Sequence, residues 1–386
     1  MKQGWEYKKL GEVAEIIGGS TPKTDIPEYW EGDNYWVTPA ELDGSKYIEK
    51  TQRAITQKAI EKTNLSLLPI GTVLLSSRAP IGKLSITKSP MYCNQGFKNI
   101  VCGESLYNEF VYYYLKNNVD YLQSLGTGAT FKEISKKVVE KIEIPVPSIT
   151  EQKQIVSELD LLSEVIEKQK AQLEELDKLA QSIFYDMFGD PVANEKGWEV
   201  KKIKDICKVI TGNTPSRNNL EYYDEEYIEW IKTDNILRGS LYPSLAKEYL
   251  SEEGAKQGRI ADVGSILIAC IAGSLVSIGK CCLLNRKVSF NQQINALVPK
   301  ENMNSLFVYF LVNAIADYIR ENTTNGMKHI ITKSVLEEIR ICVPPLSLQQ
   351  EFAAKVEAIE AMKAKVRQSL KEAETLFNSR MDYYFN

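Results

Sequence analysis

Beyond residue 150 the hydrophobic positions fall into a strict rhythm. Ile155, Leu159, Leu162, Ile166, Gln169, Leu173, Leu176, Ala180, Ile183 and Met187 are spaced in alternating steps of four and three, and only Gln169 is polar. That spacing keeps one stripe on one side of a helix, as a coiled-coil seam requires. A second seam runs through Phe352, Val356, Ile359, Lys363, Val366, Leu370, Ala373 and Phe377, with Lys363 as its polar member. A polar residue inside a seam can fix register, or it can lie at a wet edge with its stem along apolar surface. The pattern allows both. It predicts two long helices, 150–188 and 346–386. Residues 1–149 and 189–345 instead show short β-branched runs broken by Gly, Pro and Asn, with a helix or two near 109–125 and 306–321. These blocks read as mixed α/β (α+β) domains.

The two blocks repeat one another. "GWEYKKLGEVAEIIGGSTP" from Gly4 returns as "GWEVKKIKDICKVITGNTP" from Gly197, with nine of nineteen positions identical. "NYWVTPAEL" is answered by "IEWIKTDNI", "NQGFKNIV" by "NQQINALV", and "IPVPSITEQKQI" by "CVPPLSLQQEF", always in the same order. A repeat of this length sets the domain organisation before any other signal. Domain one is 1–149, followed by a helix at 150–188. Domain two is 189–345, followed by a helix at 346–386. At ~1.5 Å per residue the first helix spans about 58 Å. A domain with a radius of gyration of ~15 Å does not carry the chain back that far. The second helix is therefore expected to start near the end of the first and to run antiparallel to it, with one head at each end.

Composition narrows the function. The 386 residues are 44% hydrophobic and 25% charged, with a net charge of −4, which argues mildly against a non-specific nucleic-acid coat. The acidity is concentrated on the first helix, where nine carboxylates face four lysines. The N-terminus lacks the apolar core of a signal peptide. Seven cysteines without a C-x-x-C pair suit a reducing, cytoplasmic location. The uncharged stretch Val263–Gly279 is matched in the first half by a segment holding Arg78 and Pro80, so it reads as strand–turn–strand rather than a membrane span.

Catalytic groups are scarce. His329 is the single histidine and has no counterpart in the first half, which argues against a Ser-His-Asp triad or a histidine metal site. "GSLVSIGKC" has five residues between its glycines where a phosphate loop has four, and Cys281 stands where Ser or Thr is needed. Asp224, Glu225 and Glu226 read as a solvated face. Binding loops remain. Thr21 and Lys23 are echoed by Thr214 and Arg217, and Arg78 and Lys83 by Lys280. Asn94, Gln95 and Lys98 are echoed by Asn291, Gln292 and Asn295, and Lys132 by Lys328, with Thr130 and His329 on the same loops. Lys232 follows the second domain's Trp230. Arg, Lys, Asn and Gln read base edges, and Thr and Lys hold phosphates. All of these except Asn295 are candidate DNA contacts. The matched Trp5/Trp198 and Trp36/Trp230 read as core. The aromatic helix ends "SIFYDMF" and "RMDYYF" either pack under a head or form a dock.

Two diverged halves, each opening with W-x-x-K-K and G-x-T-P and closing with a proline pair and Q-x-x-I/F into a long helix, resemble the specificity subunit of type I restriction–modification systems. The resemblance spans essentially the whole chain. It implies two target recognition domains reading a bipartite double-stranded DNA sequence, with the helices as spacer and as docking surface for two methyltransferase subunits. Two restriction subunits would join through these. It also implies a chain without catalytic residues or cofactor of its own: S-adenosylmethionine, ATP and Mg are expected on the partners. Because the cations differ between the heads, the target is expected to be asymmetric. A tandem-repeat coiled-coil adaptor that does not act on DNA is the alternative reading.

Overall fold

A computed structural model describes residues 4–78, 80–128, 132–324 and 328–386. The chain divides into two compact units, 1–169 with 369–386, and 170–368. Each holds one head and a piece of both long helices, so the rods are not separate from the heads. The rods are Ile149–Phe188 and Leu346–Phe385. Ser148 starts the first: its Oγ accepts from the Glu151 N–H at 3.2 Å, satisfying one of the donors a helix start leaves free.

In the first unit a five-stranded sheet runs in the order Ala14–Gly18, Lys98–Cys102, Val73–Leu75, Leu84–Thr87, Tyr47–Ile48. A three-stranded sheet places Trp30–Val37 between Ala54–Ile55 and a parallel neighbour, Tyr92–Cys93. Glu6–Lys9 pairs antiparallel with Glu143–Val146, closing the domain where it opened. The helix Asn108–Asn117 covers the larger sheet, burying Phe110, Val111 and Leu115. Ile155, Val156 and Leu159 from the first rod enter this core, as do Met381 and Phe385 from the end of the second. The first rod advances from Glu158, bonded to Arg380 and Tyr384, to Gln169, whose Nε2 donates to Ser369 Oγ at 2.6 Å. One partner number rises as the other falls, so the rods are antiparallel here. Ile166 is buried; Leu162, Gln169 and Leu370 are half-buried.

The second unit repeats the plan. Cys207–Thr211, Ile294–Pro299, Ile266–Ala269 and Cys281–Leu283 form one sheet. Ile228–Ile231 lies parallel to Val288–Phe290 in another, and Glu199–Lys202 pairs with Arg340–Val343. The stretch from Val263 is a buried strand, Ile266–Ala269, followed by the short Ile271–Ala272 and a 3-10 turn, Leu275–Ser277. The near-phosphate loop therefore leads into a strand, not into the helix such a loop needs. No helix among the described residues is long and apolar enough to cross a membrane. Phe184 and Phe188 stack among Phe307, Phe310 and Phe352. Phe184 and Phe188 are thus core in this unit, as Met381 and Phe385 are in the first, while Tyr185 and Tyr383 of the same rod ends stay exposed.

Antiparallel pairing recurs in this unit: Phe188 meets Phe352, and Asp177 meets Lys363. Phe352, Val356 and Ile359 are buried; Leu173, Leu176 and Val366 are half-buried. Lys363 is no wet-edge residue. Its side chain is 4% exposed, and Nζ reaches Asp177 of the other rod and Glu360 of its own, each at 2.5 Å. A buried ammonium must be paired, so this residue fixes which turn of one rod faces which turn of the other.

A matched glutamine joins each rod to its head. Gln152 accepts from the Tyr107 N–H at 2.8 Å and donates to the carbonyls of Ser105 and Pro147, each at 2.9 Å. Gln349 accepts from the Asn304 N–H at 3.0 Å and donates to the Pro344 carbonyl at 2.9 Å. Both are buried. Trp5 and Trp198 are not core as expected but half-buried braces. Trp5 Nε1 donates to Glu151 at 3.0 Å, and Trp198 Nε1 to the Phe188 carbonyl at 2.8 Å. Trp36 and Trp230, each 2% exposed, are core as read.

Candidate nucleic-acid interface

In the first head, three polar loops leave one end of the five-stranded sheet, and a fourth, which follows the helix Val119–Ser124, joins them. Gly18 pairs with Lys98 at the last register position, Ser76 bridges Phe97, and Arg78 bridges Glu133. Segments 19–23, 76–78, 94–97, 127–128 and 132–133 therefore converge. Asn94 Oδ1 accepts from the Gly96 N–H at 2.9 Å, a tight turn that leaves Gln95 exposed at its tip. Ser20 N–H donates to the Cys93 carbonyl at 3.0 Å, laying the first loop on this turn. Thr21 Oγ1 then donates to Gln95 Oε1. Trp36 Nε1 holds the same loop through the Ser20 carbonyl at 3.1 Å. Only glycine fits at position 19, where a Cβ would lie 2.1 Å from the Asn94 carbonyl oxygen. Lys23 and Lys132 are exposed at the rim. Arg78 passes close to Gly96, and Lys98 Nζ reaches Ser77 Oγ at 3.3 Å and Glu133 at 3.1 Å. Thr130 lies outside the described residues.

The second head builds the same turn. Gln293 N–H donates to Asn291 Oδ1 at 3.1 Å, Gln292 is exposed, and Thr214 Oγ1 donates to Gln292 Oε1. Asn213 N–H meets the Phe290 carbonyl at 3.1 Å, and a Cβ on Gly212 would lie 2.1 Å from the Asn291 oxygen. Thr324 pairs with Ile330 as Thr127 pairs with Glu133. His329, not Lys328, therefore stands in the place of Lys132. Lys328 is exposed beside it, and His329 Nδ1 is buried with no hydrogen-bond partner.

Several expected contacts turn inward. Lys83 Nζ donates to the carbonyls of Pro39 and Leu42, at 3.0 and 2.9 Å, tying a loop down from within the head. Its repeat partner Lys280 lines a cavity of about 400 Å³ together with Arg238 and the rod residues Asp177 and Glu360. Neither lysine's side chain joins the loop cluster. Asn295 is 3% exposed, its amide on Cys270 Sγ at 3.2 Å. The heads differ here because Lys98 has no polar equivalent at the surface of the second. Arg78 is matched in the bridge pairing by Ile271, not by a cation.

One contact escaped the sequence. In the second head Arg217 lies over the rings of Tyr223 and Trp230, at 4.5 and 4.7 Å, and pairs with Glu248 at 2.5 Å. Lys232 bonds the same Glu248, and this bond in turn helps hold the carboxylate below its ordinary value of 4.5. In the first head the equivalent rings, Trp30 and Trp36, are covered by Arg53 at 3.8 and 5.2 Å. Arg53 comes from a different loop, so chain order could not pair it with Arg217. Guanidinium over an aromatic face is favourable, and both arginines remain exposed.

Two interdigitating rods and twin heads with matched loops define a tandem recognition protein. Residues 2–178 and 195–374 each match the family described as Type I restriction modification DNA specificity domain, and the chain belongs to that family. It is 31% identical over 378 residues to the type I restriction enzyme MjaIX specificity subunit of Methanocaldococcus jannaschii, covering 92% of this chain and 86% of the relative. It is 30% identical over 157 residues to the EcoR124I/EcoR124II specificity subunit of Escherichia coli, 39% of each chain. Among solved structures, a chain from a study of complex assembly and conformational transition of the type I R-M system matches with a TM-score of 0.65 and 18% identity, covering 100% of this chain and 98% of that one. The type I S subunit from M. genitalium matches at 0.57 and 14%, covering 99% and 96%. These two likenesses concern the fold.

Proposed function

We propose that this chain is the non-catalytic reader of a type I restriction–modification complex. Each head recognises one half of a bipartite, asymmetric double-stranded DNA target, and the rods set the length of the unread gap. The observation that carries this reading is the repeated loop cluster, the same turn and threonine in both heads, surrounded by cations that differ. Like architecture with unlike surroundings suits two related but distinct half-sites. Exposed faces of the rods would dock two methyltransferase subunits, through which two restriction subunits join. S-adenosylmethionine, ATP and Mg would be bound by those partners.

Methylome sequencing of a host carrying this chain with its methyltransferase tests the proposal. A split, non-palindromic motif is expected. Inserting one heptad in each rod should lengthen the gap and leave both half-sites unchanged. A continuous motif, or a gap that ignores the insertion, refutes it.

A further inference from the structure

The repeated turn carries more than a shared fold. Five residues recur in it without change: Gly19/Gly212, Thr21/Thr214, Pro22/Pro215, Asn94/Asn291 and Gln95/Gln292. Their neighbours do not, since Gly96, Phe97 and Lys98 become Gln293, Ile294 and Asn295. The backbone bonds beneath recur too: Asn94 N–H donates to the Val37 carbonyl at 3.1 Å, and Asn291 N–H to that of Ile231 at 3.0 Å. Folding accounts for the glycine, the asparagine and these bonds. It does not account for the glutamine, whose side chain is exposed at the tip of the turn. Nor does it account for a threonine hydroxyl spent on that exposed amide in both heads.

A hydroxyl that donates to Oε1 removes the ambiguity of the amide. The oxygen is turned inward to the threonine, and the Nε2 donors face away from it. A mobile lysine serves for a phosphate, whereas an amide of fixed orientation distinguishes acceptors from donors on a base edge. Residues that differ between heads read what differs between half-sites. By the same logic, an element identical in both reads something the half-sites share.

We propose that Gln95 and Gln292 read one base pair common to both half-sites, through an Nε2 donor to a major-groove acceptor, and that Thr21 and Thr214 are positioning residues for that contact. This rests on the DNA-reading function proposed above.

The test is selection from a random-sequence duplex library by the full chain reconstituted with its methyltransferase. Wild type, Thr21→Val, Thr214→Val, Gln95→Ala, Gln292→Ala and the conservative Thr21→Ser and Thr214→Ser are compared. The wild-type motif is expected to hold the same base pair at equivalent places in its two halves. Thr21→Val and Gln95→Ala should lower the enrichment of that base on the order of tenfold in one half-site only. Thr214→Val and Gln292→Ala should do so in the other. The serine variants should retain the preference, and melting temperatures should not move. Uniform weakening with every base preference kept, accompanied by a shallower salt dependence, would show a phosphate contact and overturn the proposal. So would half-sites with no common base, or unaltered selection by the valine variants. A wild-type complex that enriches no sequence would sink the DNA-reading function itself, and this contact with it.

Discussion

Gln152→Ala strikes the joint between the first head and its rod. The side chain makes three hydrogen bonds to backbone, at 2.8, 2.9 and 2.9 Å, and is fully buried. Each such bond contributes a net ~1 kcal/mol, and a buried partner left orphaned costs ~1–3 kcal/mol. Methylene groups are lost as well, leaving a small void. The expected cost is about 3 kcal/mol, which is on the order of a hundredfold in an equilibrium constant. Against a domain stability of ~5–15 kcal/mol the variant still folds. Amide hydrogen exchange on the full chain reads the effect locally. Peptides carrying Ser105, Tyr107 and the first turns of the rod should exchange about a hundredfold faster, while those from 170–368 stay as in wild type. Acceleration below about threefold would mean that the three bonds contribute far less than their burial implies. Equal acceleration in both units would mean that the joint is not local.

Other perturbations have contrasting signs. Replacing Lys363, Asp177 and Glu360 together by Met, Leu and Met should change stability by no more than about 1 kcal/mol, because apolar side chains replace the whole ion cluster, whereas Asp177→Ala with Glu360→Ala strands the ammonium and should cost ~3–5 kcal/mol in urea denaturation. Arg53→Ala and Arg78→Ala should each weaken DNA binding and reduce the slope of log K against log salt by about 1, while Glu225→Ala leaves anisotropy titrations unchanged. Glu229 is held below its ordinary value of 4.5 by Arg286, with the Ala246 N–H assisting against burial. That stabilisation is present above pH 4.5 and is lost as pH falls through the lowered value. Glu229→Gln should therefore flatten the acid limb of a stability–pH profile and lower its neutral plateau. Residues 1–190 alone should sediment as a homodimer at micromolar concentration, each copy's rod taking the place of the other's missing one.

The rods were legible because heptad spacing is a local, periodic property. Every seam position from Ile155 to Leu176 and from Phe352 to Leu370 is buried or half-buried. The repeat likewise disclosed the Asn–Gln turn, since its residues are contiguous. What sequence missed depends on contacts between distant segments. Arg53 and Arg217 reach equivalent rings from different loops, so alignment along the chain pairs the wrong residues. Lys83 shows the charge expected of a surface contact, yet two carbonyls from around residue 40 claim it. Asn295 occupies a strand position that only sheet register shows to be interior. The glutamines at 152 and 349 marked a boundary in the repeat, but nothing local announced that both ends of each amide would be engaged.

The composition of the first unit has a consequence during synthesis. Its apolar centre draws on Met381 and Phe385, which are synthesised after the whole of the second head. The second unit is built from residues 170–368. The head translated first is thus completed after the second, and it waits with part of its interior uncovered until Phe385 has been made. A nascent chain stalled between residues 368 and 381 would present one finished head and one open to chaperones and proteases.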